Sequence, residues 1–452
     1  MRSHPRHLRL AAAATLAVAA LIGSALPAAA GEPDPCSFAG GTLTIVLPSG
    51  EDGTLGRSGT SITLNGQPCG GATISTADSI SITIDTGTFI TIDLSAGPFA
   101  PGATDEQDGS SEIEVDVSTA DQGPKLLSVT GSSLADFLAA DDLTGTLNLN
   151  TDEEVPDIDV TMDAAFDLFE IDGAGGADYI DIAHTYAHVL GGEGNDIIGS
   201  TDNGEAQIDG EGGGDQVTFA GSTAPIQLLG DGTNVIVGDP GGPYQQLSSI
   251  RAVRATNLDD QLTVGGTLDV LGLGGDDTVH VFAGDNSVSG GAGEDTLNLP
   301  QSTPVFVLAH NGVARGEETV VRFGRMEALV GSDGEDRFVA GGRDLALDGG
   351  GGVDTYSVAH APHGVRVNLR TGFASNGDLL ERFYSVIGSP FADRIGGSRF
   401  PNLISGHDGA DVITGLGGFD TLLGGAGDDH LDGGIGEDEC HGGGGVDVLV
   451  RC

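Results

Sequence analysis

The chain has 452 residues, of which 67 are Asp or Glu and 18 are Lys or Arg, so its formal charge is −49. Lys125 is the only lysine and the arginines after residue 10 are spread thinly, which leaves no basic patch to neutralise phosphates and excludes nucleic acid and anionic membrane surfaces as partners. Glycine supplies 77 positions and Trp none, against a large aromatic core, while 38% apolar residues and a mean hydropathy of +0.02 argue against disorder.

Residues 1–9 (MRSHPRHLR) carry three arginines and no acid, an apolar run follows to Leu26, and AAA at 28–30 ends in small residues. This pattern predicts a cleaved secretory signal peptide over 1–30 and a secreted, extracellular product with no membrane insertion. All four cysteines, Cys36, Cys69, Cys440 and Cys452, lie beyond it, which suits disulfides in an oxidising compartment. Three pairings are open, and proximity favours one staple near each end.

Residues 31–171 form the next segment. They alternate as strands in TLTIVL, SISITIDTGTFITIDL, SEIEVDVS and TGTLNLN, which predicts an N-terminal β-rich domain. It is either a separate sandwich or a degenerate continuation of the repeats C-terminal to it, and it could cap an otherwise open sheet edge.

From residue 172 a nine-residue period takes over. Over 172–300 it reads GAGGADYID, GGEGNDIIG, GEGGGDQVT, GLGGDDTVH and GGAGEDTLN, with Asp178, Asp196, Asp215, Asp277 and Asp295 at position six. Over 301–387 the nonapeptides around Asp336 and Asp354 alternate with longer inserts, VFVLAHNGVARG (305–316) and VRVNLRTGFASN (365–376), which are expected to add strands. Residues 210–263 read as a third, diverged copy of this longer unit ending in Asp260. Over 388–452 seven nonapeptides run in tandem, with position six occupied by Asp393, Asn402, Asp411, Asp420, Asp429, Asp438 and Asp447. Position eight is aliphatic in all seven except at Cys440.

Intervals of 18 residues, as from 173 to 191, 272 to 290 and 331 to 349, make two nonapeptides the natural coil. Glycine at positions one, two and four is expected to permit positive φ and to turn carbonyls inward, with the Asp adding a carboxylate and the next strand sending one apolar residue inside. Stacked at the strand spacing of about 4.8 Å, neighbouring carboxylates would repel by roughly 0.9 kcal/mol even in water. A hard divalent cation relieves that repulsion, and calcium, which takes six to eight oxygens at about 2.3 to 2.6 Å, suits such a flexible cage better than magnesium.

The GGxGxDxUx pattern resembles that of the haemolysin-type (RTX) calcium-binding proteins, clearly over 388–450 and in patches over 173–360. The resemblance implies an all-β parallel β-roll with Ca2+ in its turns. It departs in two respects: an N-terminal signal is present, and the chain stops two residues after its last repeat, so Sec or Tat secretion is expected in place of type I export. The toxins, proteases and lipases of that family also attach the repeats to a catalytic or pore-forming domain.

No such domain is evident. His184 and His188 in HTYAH lack the glutamate of HExxH, His360 and His363 flank Pro362 in a turn, and no GxSxG elbow occurs. The expectation is a non-enzymatic, secreted calcium-binding structural or adhesive protein whose other partners are cell-surface or matrix components. Its metal ligands are Asp178, Asp196, Asp215, Asp277, Asp295, Asp336, Asp354, Asp393, Asp411, Asp420, Asp429, Asp438 and Asp447. The competing readings are a secreted enzyme, for example polysaccharide-acting, with its site in 36–171, and an extracellular calcium buffer.

Overall fold

In Ser79–Ile84 every second residue is isoleucine, and Ile80, Ile82 and Ile84 are fully buried while the serines and threonine between them face outward. Parallel pairing puts Ile80 beside Val115 and Ile82 beside Val117, so the apolar residues of successive coils line up in columns. The computed structural model describes residues 34–452 apart from 86, 98, 100–112, 120–125, 135, 142–145, 149–159, 163–167, 184–186, 201–205, 231–233, 239–243, 301–302 and 343. The predicted signal peptide lies outside the described residues. The residues from Cys36 to Cys452 make up one unit.

That unit is an all-β parallel roll. The chain alternates between two long sheets, and each strand pairs mainly with the strand one coil before it and the strand one coil after it. In the tandem region the coil is 18 residues: Leu403 lies beside Thr421 and Thr421 beside Glu439 in one sheet, Val412 beside His430 and His430 beside Val448 in the other. Position eight supplies the interior, with Ile404, Ile413, Leu422 and Leu431 fully buried between the sheets. Among the described residues there is no α-helix, only the 3-10 turn Ala309–Asn311, and no helix long and apolar enough to cross a membrane.

The strands continue across residues 171 and 172 without a break. Leu168–Asp172 pairs with Leu126–Thr130 on one side and with Ala187–Leu190 on the other, and Phe137–Asp141 pairs with Tyr179–Ala183. The described part of 36–171 is therefore laid down as the first coils of the same roll, because its alternating strands present the same inward-facing columns.

The inserts enlarge the sheets by a shared device. In the insert at 306–324 the first strand, Phe306–Leu308, pairs forward with Arg337–Val339; Val313–Arg315 turns back antiparallel; and Thr319–Gly324 pairs backward with Gly284–Ala292. The inserts at 227–248 and 366–381 do the same in the other sheet. A fourth, at 137–162, has no counterpart in the repeat pattern of the sequence.

A disulfide ties the two sheets together at each end. At the start, Cys36 in the edge strand Cys36–Ala39 of one sheet is bonded to Cys69 in Gln67–Thr73 of the other. At the finish, Cys440 in Glu439–Gly444 is bonded to Cys452, which comes after the last strand of the opposite sheet, Val448–Val450. Of the three open pairings, the one with a staple near each end is realised.

Candidate metal centre

The connections between the two sheets are made by positions one to six of each nonapeptide, and in the later tandem repeats positions one to three are still part of the paired strands. Position one is glycine for lack of space and not for φ: a Cβ on Gly415 would meet the Asp420 carboxylate and come 2.6 Å from the carbonyl oxygen of Gly433, one coil on. This corrects the expectation that position one needs a left-handed backbone. Positions two and four do need it. Gly425 and Gly427 have φ of 113° and 141°, and Leu416 and His407, non-glycines at position two, are held at 78° and 84°. The glycines at these positions sit directly against the carbonyls of the turn one coil earlier, Gly425 against His407 and Gly427 against Gly409. Successive turns therefore stack with main-chain oxygens between them.

The position-six carboxylates form hydrogen-bonded columns along both edges of the roll. The backbone amide of each Asp donates to Oδ1 of the equivalent Asp one coil further on. One edge carries Asp136 to Asp178 to Asp196 to Asp215, then Asp336 to Asp354, then Asn402 to Asp420 to Asp438. The other carries Asp260 to Asp277 to Asp295 and Asp393 to Asp411 to Asp429 to Asp447, at 2.8 to 3.1 Å. Where a column meets an insert, another group takes over: Asp295 donates to Glu327 Oε2 at 2.8 Å.

The second carboxylate oxygen divides the turns into two kinds. Oδ2 of Asp178, Asp196, Asp215, Asp277, Asp295, Asp354, Asp411, Asp420, Asp429 and Asp438 is buried without a hydrogen-bond partner. All ten belong to turns whose position-two residue has positive φ. In the turns with Ser or Thr at position two, that residue lies outside the left-handed region and caps the side chain instead. Ser389 donates its amide to Asp393 Oδ2 at 2.6 Å and its hydroxyl to Oδ1 at 2.8 Å. Ser132 with Asp136, Thr256 with Asp260, Ser332 with Asp336 and Ser398 with Asn402 repeat the arrangement.

Burial raises the pKa of Asp178, Asp196, Asp215, Asp277, Asp295, Asp354, Asp411 and Asp420. Asp178, Asp277 and Asp354 are pushed up to about 7, first by burial and then by the neighbouring carboxylates Asp196, Asp260 and Asp336 respectively, against the amide that each accepts. Asp411 and Asp420 are pushed up to about 6, again chiefly by burial. A buried acceptor with nothing to accept is costly, about 1–3 kcal/mol for a neutral group and more for a charged one, and such an atom recurring in ten turns calls for a cation.

Calcium fits this donor set. The oxygens at hand are the orphaned Oδ2 and the stacked main-chain carbonyls, all hard ligands with no nitrogen or sulfur among them. Among the described residues no three His, Cys, Asp or Glu side chains converge, so these turns would hold a metal with one carboxylate per repeat completed by carbonyls.

The comparison with known families points the same way. The family model for the RTX calcium-binding nonapeptide repeat (4 copies) matches residues 269–297, 387–422 and 414–449. The chain carries RTX calcium-binding nonapeptide repeats. No curated protein matches it. The RTX match leaves out 173–215 and 331–354, yet Asp178, Asp196, Asp215 and Asp354 sit in turns of the same left-handed kind as the matched repeats.

Of the thirteen aspartates expected as ligands, ten have the orphaned Oδ2. Asp447, in the last coil, is half-buried, and Asp336 and Asp393 are the two capped by serine. Asp136, Asp260 and their caps Ser132 and Thr256 were not among the expected residues; the pattern Gly or Ala, then Ser or Thr, then Asp or Asn four positions on, is the signal that marks them. His184 lies outside the described residues. His188 lies 3.4 Å from Glu170, which raises its pKa, and His363 Nδ1 faces the carbonyl of Gly364.

Proposed function

We propose that this is a secreted, non-enzymatic structural or adhesive protein whose RTX turns take up Ca2+ and thereby complete the fold of the β-roll. The buried, unpartnered Oδ2 recurring in ten turns carries the reading. Bound calcium would supply the positive charge those atoms lack, and the thirteen position-six aspartates, with the turn carbonyls, are the ligand candidates.

Secretion is supported by the signal-like residues 1–30 and by two disulfides, which persist in oxidising surroundings. The structural role is supported by the described strands of 36–172, which continue the parallel ladders of the roll. Cell-surface or matrix components are the partners such an extended polyanionic surface would meet, bridged by the same divalent ion.

The test is far-UV circular dichroism of the secreted chain in millimolar calcium and after chelation, with equilibrium dialysis to count the ions. Saturable uptake of several calcium ions with a gain of β signal is expected. A spectrum indifferent to chelator, with no ion retained, would overturn the proposal.

A further inference from the structure

The two kinds of turn are not scattered. Each of the five aspartate columns opens, at its N-terminal end, with a Ser- or Thr-capped residue: Asp136, Asp260, Asp336, Asp393 and Asn402. Every later member stands in a left-handed turn. In three of the five, the group donating to the opening Asp from upstream is the amide of Ile226, Val305 or Val365, each at 2.7 Å and each immediately before the first strand of an insert. An insert interrupts the stack of turns, so the next turn has no stacked repeat turn on its upstream side to supply carbonyls at positions two and four.

Three features of these opening turns argue against a cation. Both carboxylate oxygens of Asp393 already accept hydrogen bonds, from the Ser389 amide and hydroxyl and from Val365. The left-handed backbone at positions two and four, which in the other turns faces the carbonyls one coil back, is absent, and position four accepts Leu258, Phe391 or Phe400 in place of glycine. Finally, the one position-six side chain in the tandem array without a charge, Asn402, falls in such a turn, where its Oδ1 accepts from both the amide and the hydroxyl of Ser398. An amide oxygen can ligate calcium but brings no charge, so the one tandem turn that does without the carboxylate's charge is a capped turn, where Oδ1 is already engaged by Ser398.

We infer that calcium occupies only the turns with a left-handed residue at position two, and that each column is started by an ion-independent turn in which a Ser or Thr at position two takes the ion's place. The inference rests on the proposed calcium binding and deepens it: Asp336 and Asp393 leave the ligand set, and the calcium-dependent part of the roll becomes five stacks, each built on a turn that closes without metal. The motif [GA]-[ST]-x-x-x-[DN] is the mark of a start, and GGxGxD or its left-handed equivalents the mark of continuation.

The experiment counts calcium per chain by equilibrium dialysis and native mass spectrometry for the full-length protein and for Asp393→Asn, Asp336→Asn, Asp411→Asn and Asp429→Asn, each with its urea midpoint in calcium and in chelator. Asp393→Asn and Asp336→Asn are expected to retain the wild-type number of ions, and Asp411→Asn and Asp429→Asn to lose at least one each. Ser389→Ala is expected to lower the urea midpoint equally with and without calcium and to leave the count unchanged, which keeps the inference open to refutation should Asp393→Asn not fold. Loss of an ion from Asp393→Asn or Ser389→Ala equal to that from Asp429→Asn overturns the assignment while leaving calcium binding intact. A wild-type chain that binds none overturns both readings.

Discussion

The amide of Asp411 donates to Oδ1 of Asp429 at 2.8 Å, although the two are 18 residues apart and each brings a negative charge to the same column. The contact orders one oxygen of each carboxylate and leaves Oδ2 of both buried with no partner. Stacking is thus stabilised by the main chain and opposed by the side-chain charge, and the balance depends on protons or cations.

Protons alone should shift that balance in the calcium-free chain. Burial pushes Asp178, Asp277 and Asp354 up to about 7 and Asp411 and Asp420 to about 6, from the usual value of 3.8. Between about pH 4 and pH 7 the folded chain therefore binds more protons than the unfolded one, so stability falls as pH rises through that window. Urea midpoints in chelator should be higher at pH 5 than at pH 8. With saturating calcium the trend should flatten or reverse, because the ion competes with those protons; a midpoint that rises with pH in chelator would contradict the burial of these groups.

Position one has no room for a side chain. Gly415→Ala places a methyl against the Asp420 carboxylate and the Gly433 carbonyl. It should reduce calcium uptake and lower the calcium-saturated urea midpoint. The same substitution at Gly444, where a Cβ would meet nothing within 4 Å, should leave both nearly unchanged. Equal effects at the two sites would show that glycine content alone matters, not close approach.

In the tandem region the interior is a single file of aliphatic residues from each sheet, so one deletion leaves a void between the sheets. Ile413→Ala or Leu422→Ala, at fully buried positions, should cost about 2–5 kcal/mol of unfolding free energy. The cost should appear in saturating calcium, measured by urea denaturation. Leu449→Ala in the last strand, where the side chain is 48% exposed, should cost much less.

The terminal disulfide should act locally. Cys440–Cys452 closes a short loop of sequence separation 12, for which the chain-entropy contribution is about 3 kcal/mol. It ties the last strands of the two sheets. Cys440→Ser together with Cys452→Ser should speed amide exchange in 430–450 and leave the strands near Ile80 protected as before. Loss of protection throughout the roll would mean the end clamp controls global stability.

The period of nine, the aliphatic residue at position eight and the aspartate at position six were legible in the sequence because each reflects a local requirement repeated many times. A buried slot needs a hydrophobe, a tight turn needs glycine, and a strand alternates. From these came the all-β roll and its 18-residue coil. Other features lie between residues far apart in the chain and only tertiary stacking decided them. The segment 36–171 alternates as any strand-rich domain would, and its pairing with Ala187–Leu190 and Tyr179–Ala183 is what makes its described strands the first coils. Thirteen aspartates look alike in the repeats, yet an amide or hydroxyl reaches Oδ2 in the turns of Asp336 and Asp393 and in none of the ten orphaned turns. That difference depends on the backbone φ at position two, where a Ser or Thr four residues before the Asp marks the capped turn, and on what is stacked one coil away, which supplies the amide at Oδ1 and cannot be read from the local sequence.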